Sequence, residues 1–85
     1  MKILYVEDNP RDADLTVRML SKTAPHLQIE SVSTIENAIE RLGRLSSEPL
    51  DLILTDMHLP DGDGLSLLNY VRESSLPLAV VVVTG

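Results

Sequence analysis

Four short apolar runs, each separated from the next by a stretch with helical spacing, constrain the fold of this 85-residue chain more than any other feature. The first, Ile3 to Val6, is bounded by the acids Glu7-Asp8 and reads as a buried strand. Leu27 to Val32 alternates Leu27, Ile29 and Ser31 against Gln28, Glu30 and Val32, the pattern of an edge strand. Leu50 to Thr55 is the third run. Leu78 to Val83 is almost wholly apolar and β-branched, which predicts a strand covered on both faces. Between the runs lie helices. Asn9-Pro10 opens the first, with proline where its missing N–H costs nothing. Ala13, Val17 and Leu20 then recur at i, i+4 and i+7, with Thr16 between them and Pro25 beyond the stop. Ser33-Thr34-Ile35-Glu36 predicts a capping box, with Ser33 as N-cap and Glu36 at N3. Ile35, Ala38, Ile39, Leu42 and Leu45 form the apolar stripe that follows. A third helix is predicted over Gly64 to Glu73, carrying Leu65, Leu68 and Val71 inward. The order βαβαβαβ implies an α/β domain with a parallel sheet and right-handed crossovers. No internal repeat or low-complexity linker interrupts residues 1–85, so they read as one domain.

Acids end two of these runs. Glu7-Asp8 follows the first at once, and Asp56 follows the third. If the two strands are parallel neighbours, three carboxylates converge at the carboxyl edge of the sheet, where open α/β sheets bind ligands. Carboxylates gathered there repel one another. A hard divalent cation with oxygen ligands offsets that charge, and Mg²⁺ is the usual choice beside phosphate chemistry. Taken singly, Glu7 and Asp8 would serve a helix N-terminus through the macrodipole, and Asp56 would serve as a turn residue. Their joint placement at strand ends favours a shared site.

Composition narrows the partners. With no cysteine, disulfides, thiolate metal sites and thiol catalysis are excluded, which suits a cytoplasmic location. A net charge of -6 argues against nucleic-acid binding by this segment. No apolar run approaches the roughly 20 residues needed to span a membrane. The chain enters its first strand at residue 2, which leaves no room for a signal peptide.

The segment Asp56-Met57-His58-Leu59-Pro60-Asp61-Gly62-Asp63-Gly64 carries the chemistry. Leu59-Pro60 makes a stiff turn, and the glycines let the chain fold back before the third helix. A strand-end carboxylate beside Mg²⁺ can act as nucleophile toward a phosphoryl group and form an acyl phosphate. Asp61 and Asp63 fit turn and helix-cap roles better than ligand roles. An EF-hand reading of Asp61 to Gly64 fails, because position 12 of that loop would be Arg72 and not glutamate. His58 and His26 both read as solvated loop residues. A magnesium-dependent aspartyl phosphatase of the haloacid dehalogenase type needs a second acid two residues after its nucleophile. Asp8 is followed there by Pro10 and Asp56 by His58, so neither candidate satisfies it.

These residues together resemble a family. Glu7-Asp8 after the first strand, D-x-x-L-P-x-x-D-G from Asp56 to Gly64, and Val83-Thr84-Gly85 closing the fourth strand are similar to bacterial response-regulator receiver domains. The resemblance runs over the whole chain. It implies a flavodoxin-like doubly wound sheet with strand order 2-1-3-4, and a phosphorylation-dependent switch rather than an enzyme. By position it makes Asp56 the phosphoacceptor. Asp8 becomes a direct Mg²⁺ ligand, Glu7 a ligand through water, and the backbone carbonyl of His58 a further ligand. Thr84 becomes the switch hydroxyl. The implied partner is a sensor histidine kinase or phosphotransfer protein. A pseudo-receiver that binds partners without phosphorylation is the alternative, and the intact set Glu7, Asp8, Asp56 and Thr84 argues against it.

The resemblance also implies a helix, a fifth strand bearing a phosphate-contacting lysine, and a last helix beyond Gly85. Lys2 and Lys22, the only lysines, are not placed to substitute for that lysine. The run Leu78 to Val83 is therefore expected at a sheet edge with no charge or proline to discourage pairing. Two outcomes are expected: edge-to-edge homodimerisation through this strand, or continuation into a longer polypeptide.

Overall fold

The computed structural model describes residues 1–83. Its elements are β1 (Lys2–Val6), α1 (Pro10–Thr23), β2 (Gln28–Val32), α2 (Ile35–Leu42), β3 (Leu52–Asp56), β4 (His58–Leu59), β5 (Gly62–Asp63), α3 (Gly64–Glu73) and β6 (Ala79–Val83). The main sheet runs β2-β1-β3-β6, all pairs parallel, with β2 and β6 at its edges. This is the expected order. The fold-back after Asp56 takes a form that was not expected, a small antiparallel hairpin pairing His58 with Asp63 and Leu59 with Gly62.

The two faces of the sheet are unequally covered. On one, Leu4, Val6 and Ile53 pack with Ile35, Ala38 and Leu42 of α2 and with Leu67 and Val71 of α3. Leu50 and Leu59 complete that cluster, all of it buried. On the other, α1 lies over Tyr5, whose hydroxyl donates to Thr16 Oγ1 at 3.4 Å. Ala13, Thr16, Val17 and Leu20 face inward as their spacing predicted, but each is only half-buried. Leu15 and Met19 are exposed. Within residues 1–83 the last strand, which reads as covered on both faces, is covered on one. Val80 packs against the core, while Val81 and Val83, pointing the opposite way, are 46% and 47% exposed.

Helix starts are set by side-chain acceptors for the first free N–H groups. Asn9 caps α1, its Oδ1 accepting from Arg11 N at 2.9 Å and Asp12 N at 3.3 Å, with Pro10 in the first turn. The capping box predicted at Ser33 does not form. The N-cap of α2 is Thr34, extended at φ -137 and ψ 159, and its Oγ1 accepts from Asn37 N at 3.0 Å. Glu36 thus sits one position too early to reach back. Its N–H and that of Ile35 are taken instead by Asp61, 25 and 26 residues away in sequence.

The inward set of α3 also differs from the sequence reading. Asp63 caps this helix, accepting from Ser66 N at 2.9 Å, and so fixes its rotation. Gly64, Leu67 and Val71, at i, i+3 and i+7, then face the sheet, Leu68 is half-buried and Leu65 is exposed. Leu67→Ala should therefore cost about 2–5 kcal/mol in chemical denaturation, with Leu65→Ala within about 0.5 kcal/mol of the parent. Comparable losses from both would contradict this rotation.

Candidate functional site

Parallel pairing brings the acids together. Val6 lies opposite Thr55, so the chains of β1 and β3 leave the sheet side by side. The carboxylate oxygens offered by Glu7, Asp8 and Asp56 all lie within 4.8 Å of one another. Glu7 and Asp56 are half-buried and Asp8 is exposed. Among the described residues this is the one such acidic group.

Each acid is held by the backbone around it. Glu7 N donates to Val32 O at 3.0 Å, extending the β1–β2 ladder by one residue, and Glu7 Oε1 accepts from Asn9 N at 3.2 Å. Asp56 Oδ1 accepts from Met57 N at 2.9 Å, and the same N–H reaches Val83 O at 3.0 Å. The Asp56 carbonyl accepts from the hydroxyl of buried Thr55 at 3.0 Å. Gly64 presses on the same carbonyl: a Cβ there would stand 2.7 Å from Asp56 O and 3.2 Å from Thr55 Cγ2. Only glycine lets α3 start this close to the strand end. Gly64 N returns a bond to Met57 O at 2.9 Å, closing the hairpin onto β3.

Electrostatics follow from this crowding. Glu7 has its pKa raised above the ordinary 4.5, first by burial and then by the charges of Asp56, Asp8 and Asp12, against the lowering bond from Asn9. Asp61 is shifted the other way, its carboxylate stabilised by the N–H groups of Ile35 and Glu36. Asp63 is lowered likewise by Ser66 N and the Ser66 hydroxyl. Both are helix caps, as their sequence context suggested. An all-oxygen donor set with one carboxyl resisting ionisation fits a hard divalent cation, whose charge would relieve the repulsion.

The remaining candidates divide. His58 is exposed and pairs with Asp63 across the hairpin next to Asp56. Thr84 lies outside the described residues. Lys2 begins β1 at the opposite end of the strand from Glu7, 3.9 Å from Glu30, and Lys22 is exposed in the last turn of α1. His26 is exposed. Arg41 escaped the sequence reading. It is 1% exposed, and its Nε donates to Glu30 Oε2 at 2.7 Å, tying α2 to the edge strand β2. Its place between Ala38 and Leu42 in the apolar stripe was the available signal.

A parallel α/β sheet with an acidic trio at its carboxyl edge is the arrangement that the resemblance to receiver domains implied. The chain belongs to the response regulator receiver domain family, which it matches over residues 3–85. It is 38% identical over 86 aligned positions to the response regulator protein PilR of Pseudomonas aeruginosa, covering 99% of this chain and 18% of PilR. To the transcriptional regulatory protein CitT of Halalkalibacterium halodurans it is 35% identical, covering 99% of this chain and 36% of CitT. The chain therefore spans a minor part of both relatives. Among solved structures, the MaeR response regulator bound to beryllium trifluoride superposes with a TM-score of 0.85 at 30% identity, over 100% of this chain and 67% of that one. The bacteriophytochrome response regulator AtBRR gives 0.86 at 32% identity, over 98% and 65%.

The raised pKa of Glu7 has a definite sign. The folded state holds this proton more tightly than the unfolded chain, so ionising Glu7 costs stability as pH rises through 4.5 and beyond. Glu7→Gln should therefore raise the metal-free melting temperature near neutral pH. The gain should shrink away below 4.5, the ordinary glutamate value. A gain that did not vary with pH in thermal melts would point to a cause other than ionisation.

Proposed function

We propose that this receiver domain is a phosphorylation-dependent signalling switch that accepts a phosphoryl group on Asp56 from a sensor histidine kinase or phosphotransfer protein, with Mg²⁺. The observation that carries the proposal is the meeting of the Glu7, Asp8 and Asp56 carboxylates within 4.8 Å at the ends of two central strands. Asp8 and Asp56 would hold the cation directly, Glu7 through water, and the His58 backbone carbonyl would complete the protein's share. When bound, Mg²⁺ supplies positive charge beside the phosphoryl oxygens.

The chain's own part is nucleophile and positioning. Asp56 Oδ1 is engaged by the Met57 N–H, while Oδ2 makes no hydrogen bond among the described residues and would be the oxygen that attacks phosphorus. Attack forms an Asp56 O–P bond as the donor's N–P bond breaks, and the departing imidazole nitrogen takes a proton from water. Thr84, the residue after Val83 in the sequence, would donate its hydroxyl to the new phosphoryl group and report its presence. The phosphoryl group stays on the protein, which makes this a switch and not a turnover enzyme.

Two experiments test the reading in the full-length protein. Acetyl phosphate with Mg²⁺ should add one phosphoryl mass to Asp56. Asp56→Asn should abolish the label, and Asp61→Asn and Asp63→Asn should leave it on Asp56. A label persisting in Asp56→Asn would move the acceptor elsewhere. For the metal, Asp8→Asn should raise the melting temperature without Mg²⁺ and weaken the stabilisation that added Mg²⁺ brings. If Asp8→Asn changed neither, the acidic pocket would not be the cation site.

A further inference from the structure

The hairpin that follows Asp56 is held at its base and at its tip, and only the base involves its own sequence neighbours. At the base, Gly64 N bonds Met57 O at 2.9 Å, and Asp63 accepts from Ser66 N at 2.9 Å and Ser66 Oγ at 3.0 Å. At the tip, Asp61 Oδ1 accepts from Ile35 N and Oδ2 from Glu36 N, both at 2.9 Å. These are N–H groups in the first turn of α2, which have no partner within the helix. Gly62 stands beside them at φ +153, where an added Cβ would fall 2.8 Å from Ile35 Cδ1. Leu59, between base and tip, is buried in the cluster that includes Ile35.

The tip contact closes a circuit around the acidic trio. Glu7 is tied to the end of β2 through Val32 O. The main chain runs on from Val32 directly into α2, which begins at Ile35. Asp61 then joins the first turn of α2 to the hairpin, and the hairpin leads back through His58 and Met57 to Asp56. The two arms of the site, Glu7-Asp8 and Asp56-His58, are thus linked once through the β1–β3 ladder and again through α2.

We propose that Asp61 is a positioning residue for the acceptor site: by gripping the start of α2 it holds the hairpin that leads back to Asp56, and with it the His58 carbonyl assigned to the cation. It touches neither the acids nor a phosphoryl group. This rests on the metal-binding reading given under Proposed function. The competing role is a plain helix cap, which would stabilise α2 without reaching the site.

Thr34 separates the two roles, because it caps the same helix without touching the hairpin. In the full-length protein, Mg²⁺ alone is titrated while the amide shifts of Met57 and His58 are followed by NMR. Asp61→Ala should raise the Mg²⁺ dissociation constant about fivefold, the factor carried by one helix-capping interaction. Thr34→Ala should lower the melting temperature by a similar amount and leave Mg²⁺ binding unchanged. Asp61→Asn removes the same charge as Asp61→Ala but keeps one acceptor oxygen, so its dissociation constant should fall between those of Asp61→Ala and the parent. The proposal is overturned if Asp61→Ala binds Mg²⁺ like the parent, or if Thr34→Ala weakens binding as much. Equal weakening in Asp61→Asn and Asp61→Ala also overturns it, because charge alone would then account for the effect. If the parent binds no Mg²⁺, the reading beneath the proposal fails and takes it along.

Discussion

Backbone pairing of β1 with β3 holds negative charges where they would not settle by themselves. The register Ile3–Leu52 through Val6–Thr55 is fixed by main-chain hydrogen bonds and by Leu4, Val6, Ile53 and Thr55 sharing the more deeply buried face. A slip of one residue would turn that whole set to the opposite face, so the register is strongly specified. Glu7 and Asp56 have no choice but to emerge together. The raised pKa of Glu7 is the local cost of this arrangement, one that a bound cation would offset. Structure elsewhere serves the same junction. Gly64 lets α3 begin against the Asp56 carbonyl, and buried Thr55 turns its hydroxyl onto that same oxygen.

The two faces of the sheet stand in different relation to this site. The α2–α3 face is the packed one, and both helices start close to the acidic edge. Asp61 sets the start of α2 and Asp63 that of α3, and both aspartates belong to the hairpin that follows Asp56. The hairpin is therefore joined to both helices through their first turns. The α1 face is less closely packed: Ile3 and Tyr5 are buried there, but Ala13, Thr16, Val17 and Leu20 of α1 are only half-buried, and Val81 and Val83 on β6 are exposed. β6 touches the site from this edge, its Val83 carbonyl accepting the Met57 N–H that also binds Asp56. Hydrogen bonding at the acceptor thus reaches across to β6.

What the residues alone revealed divides along physical lines. Alternation of strand-like and helical patterns is local, and so are strand-end acids and the Asn9-Pro10 start. All were legible, and they carried the topology and the acidic trio. The errors arose where a distant partner decided a local question. Ser33-Thr34-Ile35-Glu36 has the spacing of a capping box, but Asp61 supplies acceptors for Ile35 and Glu36, and the cap settles one residue later at Thr34. Leu65 and Leu67 are equally apolar in sequence. Which one faces inward depends on the rotation set by Asp63 and by the close approach of Gly64. Arg41 interrupts an apolar stripe, and the tertiary placement of Glu30, with Glu48 farther off, accounts for a guanidinium there. The last strand reads as doubly covered because composition reports what a strand would bury, not what lies against it.

The central claim is that carboxylates from two strand ends form one cation site next to Asp56. Anomalous diffraction from a crystal of the full-length protein soaked in Mn²⁺ tests it most directly. The account predicts a single strong peak within coordination distance, roughly 2 Å, of carboxylate oxygens of Asp8 and Asp56 and of the His58 carbonyl. A peak held instead by Asp61 and Asp63, or no peak near Asp56 in crystals where Mn²⁺ binds elsewhere, would contradict it.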